Sequence, residues 1–238
     1  MDKNTFYKKI ASLGIQDDAL ITQNLEKYKA HIQKINQVLN LTAIDDDEGI
    51  YLKHFYDSLL IHDKIEKNQS LCDVGSGAGF PGLVLAIARP DIKVTLIEPT
   101  TKRTNFLQEV VAMCDLKNVT ILNGRAEDLI EDLRESFDVV TARAVAYLDI
   151  LSELCIPFVK VGGLFIAMKG AKGEEELKES KKAIKILGGE VESIETIEKE
   201  NLGSRININI RKTSKTHTKY PRNYGRIKKT PLSGRKHG

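Results

Sequence analysis

The sequence is short of the features that mark membrane proteins, secreted scaffolds and zinc modules. It has only three cysteines, Cys72, Cys114 and Cys155, far apart and with no CxxC pair, which argues against a disulfide framework and against a zinc module. Its longest uninterrupted apolar run, Leu83 to Ala88, is far below the ~20 residues that cross a bilayer. The opening Met1-Asp2-Lys3-Asn4 has none of the apolar character of a secretory signal. No cluster of metal-ligating residues is visible, so no metal is expected. Acidic residues are also missing from one region altogether. None follows Glu200, while eleven of the 36 basic residues do, which leaves 25 basic against 33 acidic residues before that point. The overall charge of +3 therefore divides into a body of −8 and a tail of +11, a polarity that suits a polyanionic partner.

What is present is enough for a sizeable core: 238 residues, of which 41% are hydrophobic and 29% charged. That length fits one large domain, or one domain with an extension. Ile21, Leu25, Tyr28, Ile32, Ile35 and Leu39 recur at steps of four and three and predict an amphipathic helix packed on the main domain. Asp17 and Asp18 stand where a cap favours acids. A second helix is expected from Glu48 to Ile61. From Leu71 the pattern becomes alternating strands and helices. Strands are expected at Leu71–Val74, Val94–Ile97, Val119–Leu122, Val139–Thr141 and Leu164–Met168, with helices at Leu83–Arg89, Arg103–Cys114, Ala126–Arg134, Leu148–Phe158 and Glu174–Leu187. This alternation predicts a parallel sheet covered on both faces. Val191–Ile197 and Ile206–Ile210 have no helix between them and read as an antiparallel pair, for a mostly parallel seven-stranded sheet. The division expected is a helical extension over residues 1–65, a catalytic domain over 66–212 and a basic, flexible tail over 213–238.

The strongest chemical signal is Asp73-Val74-Gly75-Ser76-Gly77-Ala78-Gly79-Phe80-Pro81-Gly82, after the first strand and at the start of a helix. Glycines there let the backbone approach a ligand closely. Glu98, at the end of the second strand, is placed to accept the hydroxyls of a ribose. Two cofactors fit. Gly77-x-Gly79-x-x-Gly82 matches a dinucleotide fingerprint. Asp73-x-Gly75-x-Gly77-x-Gly79 matches an S-adenosylmethionine loop, and its leading acid suits an ammonium group better than a pyrophosphate. Asn123-Gly124-Arg125-Ala126-Glu127-Asp128, after the third strand, can either read an adenine edge or simply place acids at a helix N-terminus.

Thr141-Ala142-Arg143-Ala144 and Met168-Lys169-Gly170 follow the fourth and fifth strands, where this class of fold does its chemistry. No Asn/Asp-Pro-Pro-aromatic motif follows strand four, which disfavours methylation of an exocyclic amine. No cysteine ends strand four or five, which disfavours carbon-5 methylation through a thioether. A ring nitrogen such as guanine N7 needs neither. It attacks with a lone pair and requires no general base, so catalysis is positioning and fixed electrostatics. Arg143 or Lys169 can donate to an oxygen beside that nitrogen or hold a phosphate, and no catalytic residue is assigned. In the tail, Lys219-Tyr220-Pro221-Arg222-Asn223-Tyr224-Gly225-Arg226-Ile227-Lys228-Lys229 mixes cations for phosphates with tyrosines for unpaired bases. Five such contacts to single-stranded RNA imply about a hundredfold loss of affinity between roughly 50 and 200 mM salt. Deleting the tail is expected to weaken RNA binding and spare cofactor binding.

Together these residues resemble the bacterial glucose-inhibited division protein B family, guanine-N7 methyltransferases of small-subunit ribosomal RNA. The resemblance covers nearly the whole chain. It includes Asn40-Leu41-Thr42, His54-Phe55-Tyr56-Asp57-Ser58, the extended loop with Phe80-Pro81-Gly82, Lys102-Arg103, Arg125-Ala126-Glu127, Ala142-Arg143-Ala144, Met168-Lys169-Gly170, Lys219-Tyr220-Pro221-Arg222 and Lys229-Thr230-Pro231-Leu232. It implies a Rossmann-like class I S-adenosylmethionine-dependent methyltransferase acting in the cytoplasm on 16S ribosomal RNA or the assembling small subunit. It also implies cofactor contacts at Gly75, Phe80, Ala126, Glu127 and Arg143, with Gly77 in the loop and Glu98 in the ribose position. His54 and Asp57 are expected to organise the cofactor end of the extension. The final Ser233–Gly238 run matches no part of the family pattern.

Overall fold

A computed structural model describes residues 1–15, 18–143, 145–199 and 201–235. Asp17, Ala144 and the last three residues of the Gly-Arg-Lys-His-Gly ending lie outside these. The N-terminal part holds α1 (Lys3–Ser12), α2 (Ala19–Leu39) and a helical run of α3 (Asp47–Gly49), a π-helix (Ile50–Tyr56) and α4 (Asp57–Leu59). Leu25, Tyr28 and Ile32 of α2 are buried, and Ile21, Ile35 and Leu39 pack against the same core. The side chain of Asp18 caps α2 by accepting the Leu20 amide at 2.8 Å. The expected regular helix over 48–61 is instead largely π-helical. Its residues from Ile50 to Ser58, except Lys53, are all buried, so the segment is enclosed on every side.

The sheet follows in the order β3-β2-β1-β4-β5-β7-β6. Its strands are β1 (Ser70–Val74), β2 (Lys93–Glu98), β3 (Val119–Asn123), β4 (Phe137–Arg143), β5 (Val159–Lys169), β6 (Gly189–Lys199) and β7 (Gly203–Lys212). β1 to β5 pair in parallel, and β7 lies antiparallel between β5 and β6. Alternate side chains feed two cores. Leu164, Ile166 and Met168 face the one shared with Phe6, Tyr28 and Phe55 of the extension, whereas Phe165 and Ala167 face the one beneath α8 (Leu148–Cys155) and α9 (Gly173–Ile186). That alternation is the period-two pattern of a strand buried on both faces. The extension and the sheet thus share a core. Strand order reverses between β1 and β4, where ligands of such sheets bind beyond the carboxyl ends of the strands.

The tail departs from the sequence expectation. Residues 213–235 lie against the body as a strap instead of a flexible terminus. Ile227 is fully buried, Tyr220 is nearly so, and both belong to the core beneath α8. Arg222 donates to both carboxylate oxygens of Glu153 at 2.7 Å, and Glu153 is 0% exposed. Arg134 donates to the Tyr220 carbonyl at 2.8 Å, and the Thr216 hydroxyl to the Leu187 carbonyl at 2.6 Å. A tail with few apolar side chains is ordered because it sinks Ile227 and Tyr220 into the core and sets Arg222 on a buried carboxylate.

Candidate active site

The glycine loop joins β1 to α5 (Gly82–Ala88). The amides of Gly75 and Ser76 donate to the Ile97 carbonyl at 2.8 and 3.1 Å, which ties the loop to the end of β2. Gly75 has φ of +73°, and a Cβ there would stand 2.7 Å from Val145 Cγ2. Neither the backbone nor the space admits a side chain. Glu98 is 2% exposed, and its two oxygens accept the amides of Gly77 and Thr100, each at 2.9 Å. It fixes the loop that it follows in space. Asp73 takes the Gly82 amide at 2.9 Å. Its other oxygen is buried without a partner, and burial pushes its carboxyl up to about 7.

Two cavities open at the carboxyl ends of the strands. The first, of about 250 Å³, is lined by Gly75, Arg125, Ala126 and Glu127 with the apolar Val74, Ile97, Pro99, Val145 and Leu154, and by Tyr224 of the strap. Ala126 and Glu127 open α7 (Ala126–Leu133). Glu127 Oε1 is buried with no hydrogen-bond partner, and its nearest cation, Arg125, stands 3.9 Å away. An apolar slot with one unmatched acceptor suits a flat heterocycle that carries an amine.

The second cavity, of about 380 Å³, is lined by Lys53, His54, Asp57, Arg143, Lys169, Glu176 and Arg205, among others. In its wall Asp57 accepts from Arg143 at 2.9 Å and from Arg205 at 3.1 Å. Lys169 is held by Glu176 at 2.6 Å and donates to the Ala146 carbonyl at 2.8 Å. Lys169 is thus a fixed cation. His54 accepts or donates through Nε2 to Thr42 at 2.8 Å, while burial, and next the charge on Arg143, lower its pKa to about 4. Arg143 at the end of β4 lines the second cavity, and Val145, two positions on, lines the first.

The structure therefore distributes the expected cofactor residues. Gly75, Ala126 and Glu127 share the first cavity and Arg143 lines the second. Gly77 and Glu98 form the scaffold of the loop. Phe80 lines neither cavity. Its ring stacks on His54 with centroids 4.3 Å apart, and the Arg143 guanidinium lies 5.1 Å from its centroid. It joins the loop to the extension. Sequence reading missed Arg205, Lys53 and Glu176, and gave Asp57 no partner. Asp57 and Arg143 are 86 positions apart, beyond the reach of any local motif. Among the described residues no group of His, Cys, Asp or Glu could hold a metal ion, and no helix is long and apolar enough to cross a membrane.

A family model described as GidB, rRNA small subunit methyltransferase G, matches residues 21–205. The chain belongs to this family. Among its relatives, the ribosomal RNA small subunit methyltransferase G of Staphylococcus carnosus is 49% identical over 216 residues, covering 88% of this chain and 90% of the relative. The protein of that name from Geobacillus thermodenitrificans is 43% identical over 237 residues, covering 98% and 100%. Among solved structures, M. jannaschii TYW2 in complex with AdoMet superposes with a TM-score of 0.56 at 16% identity, over 67% of this chain and 76% of that one. P. horikoshii TYW2 in complex with MeSAdo gives 0.53 at 17%, over 68% and 64%. These likenesses carry the class I methyltransferase fold expected from the sequence.

Proposed function

We propose that this chain transfers a methyl group from S-adenosylmethionine to N7 of a guanine in 16S ribosomal RNA, in the cytoplasm, on the free RNA or the assembling small subunit. The observation that carries the reading is the pair of cavities at the switch point, one largely apolar with an unmatched carboxylate oxygen and lined by Val145, the other rich in cations and lined by Arg143. Gly75, Ala126 and Glu127 would hold the cofactor's adenosine end, Glu98, which also holds the Gly77 amide and so shapes the loop, would accept the ribose hydroxyls, and Phe80 and Arg143 would close the side toward the acceptor. When bound, the cofactor supplies an electrophilic methyl group on a sulfonium sulfur, and the N7 lone pair takes it without loss of a proton.

The chain's own task is to orient and desolvate. Arg143 and Lys169 hold fixed N–H donors in the acceptor cavity, because Asp57 and Glu176 fix them in turn. Methylation moves the positive charge from the sulfonium sulfur to the guanine ring, so transfer creates no new net charge for the site to hold. Lys53 and Arg205 supply cations for the RNA backbone. The dinucleotide reading loses its seat, since the Gly82 amide that would face a pyrophosphate is taken by the Asp73 carboxylate.

Transfer of a labelled methyl group to small-subunit RNA, followed by nucleoside analysis, tests the reading. Label in 7-methylguanosine is expected, and label in another nucleoside, or in none, overturns it. Gly75→Asp is expected to abolish cofactor binding while the far-ultraviolet spectrum of the fold is kept. Undiminished affinity in that variant refutes the assignment of the first cavity.

A further inference from the structure

The C-terminal strap was expected from its sequence to serve RNA alone, yet one of its side chains reaches the first cavity. Beyond the Arg222–Glu153 pair the chain turns into α10 (Tyr224–Lys229), whose Ile227 is fully buried and whose Arg226, Lys228 and Lys229 are exposed. Tyr224 is half-buried, packs on the core beneath α8, and lines the same cavity as Gly75, Ala126 and Glu127. The remaining wall of that cavity comes from the ends of β1 and β2, the start of α7, Val145 after β4 and Leu154 of α8. Tyr224 is the one strap residue that lines it and adds an aromatic face to a slot otherwise lined by aliphatic groups, backbone and the polar groups of Arg125 and Glu127. It is held there on both sides, by Arg222 on Glu153 and by the burial of Ile227.

We propose that Tyr224 is a binding residue for the adenosine end of S-adenosylmethionine, so that the strap completes the cofactor site. This rests on the assignment of the first cavity to that cofactor. A planar ring beside a purine gives dispersion and stacking that an aliphatic wall cannot match. Docking of the strap and binding of the cofactor then support each other. Deleting residues 213–238 removes a wall of the site, together with the buried Ile227, and does not spare cofactor binding.

The sequence contains no tryptophan, which makes a direct test available in the full-length protein. Tyr224→Trp installs a single indole, whose fluorescence is expected to change saturably on titration with S-adenosylmethionine or S-adenosylhomocysteine. Fluorescence that does not respond, in a protein shown by calorimetry to bind either compound, overturns the proposal. Tyr224→Ala is expected to weaken binding of S-adenosylhomocysteine on the order of tenfold, by analogy with loss of a base-stacking ring, while Tyr224→Phe stays within about twofold of the parent. If Tyr224→Ala loses its fold, Tyr224→Leu keeps the apolar bulk without the ring and is expected to show the same loss. Parental affinity in a folded Ala or Leu variant refutes the role. Failure of the unmodified protein to bind either compound would instead refute the assignment of the cavity itself.

Discussion

The helical extension and the C-terminal strap both lie against the same sheet, but different forces hold them there. The extension is held chiefly by rings, with Asp57 also pairing Arg143 and Arg205 of the sheet. Phe55 is fully buried, its ring centroid 5.5 Å from that of Tyr28 and 6.1 Å from that of Phe6, and Tyr28 in turn lies 5.7 Å from Phe80 of the glycine loop. The Tyr28 hydroxyl donates to the Ala78 carbonyl, so the cluster also fixes the loop backbone. The strap buries Ile227 and Tyr220 but is otherwise held by charge. Arg222 meets Glu153, Arg235 meets Glu179, and at its root the buried Lys212 meets Glu135. Apolar contacts follow a periodic pattern along one segment, whereas ion pairs need a partner from elsewhere in the chain. The first kind of attachment is strong and hard to release. The second is weaker and rests on a few points.

The comparison breaks first at Phe55. Phe55→Ala leaves a cavity in the shared core and is expected to cost about 4 kcal/mol in unfolding by urea, with loss of cofactor affinity because the loop backbone loses its support. A cost under about 1 kcal/mol would mean that the extension is not integral to the core. Arg222→Ala comes next. It strands the Glu153 carboxylate, a defect that costs about 3–5 kcal/mol when the charge stays buried. The strap can lift away and admit water, which limits the loss to about 3 kcal/mol and raises hydrogen exchange in residues 213–235 above that of the extension. Equal exchange in both regions would show that strap and extension unfold as one unit.

These two variants also show what could be read from the sequence. The face of α2, the seven strands in order, and the glycine loop were legible because each is set by local periodicity or by a steric need that only glycine meets. The co-location of Gly75, Ala126 and Glu127 followed from the strand order. The order of the strap was not legible. Its composition is that of a solvated terminus, and what docks it is a set of acids in α8, α9 and the turn before β4. The division of the site into two cavities was hidden for the same reason, since Asp57 on the extension collects Arg143 from β4 and Arg205 from β7.

A smaller effect separates the regions by pH. In the folded extension burial, and then the nearby Arg143 charge, lower His54 from an ordinary value of 6.5 to about 4. The folded form therefore favours the neutral ring. Its contribution is complete above about pH 6.5 and is lost as pH falls toward 4. Stability of the unmodified protein relative to His54→Phe is expected to fall by about 2 kcal/mol between pH 7 and about pH 4.5. The difference isolates His54 from Asp73, whose raised pKa acts in the opposite direction. A flat difference would place the imidazole in contact with water.

The smallest effect is expected at the far end of the strap, where Arg235 meets Glu179 and lies over the Tyr147 ring, 4.1 Å from its centroid. Both members of the ion pair are open to water, so little is gained by holding them together. Arg235→Ala should leave the melting temperature unchanged within error at any salt concentration. Arg222→Ala should keep most of its cost in high salt, because a pair with a fully buried partner is poorly screened. If Arg235→Ala lowered the melting temperature as much as Arg222→Ala, the strap would dock as a single cooperative unit from end to end. Its grip would then not be concentrated at Glu153, and the contrast with the extension would lie in sequence pattern alone.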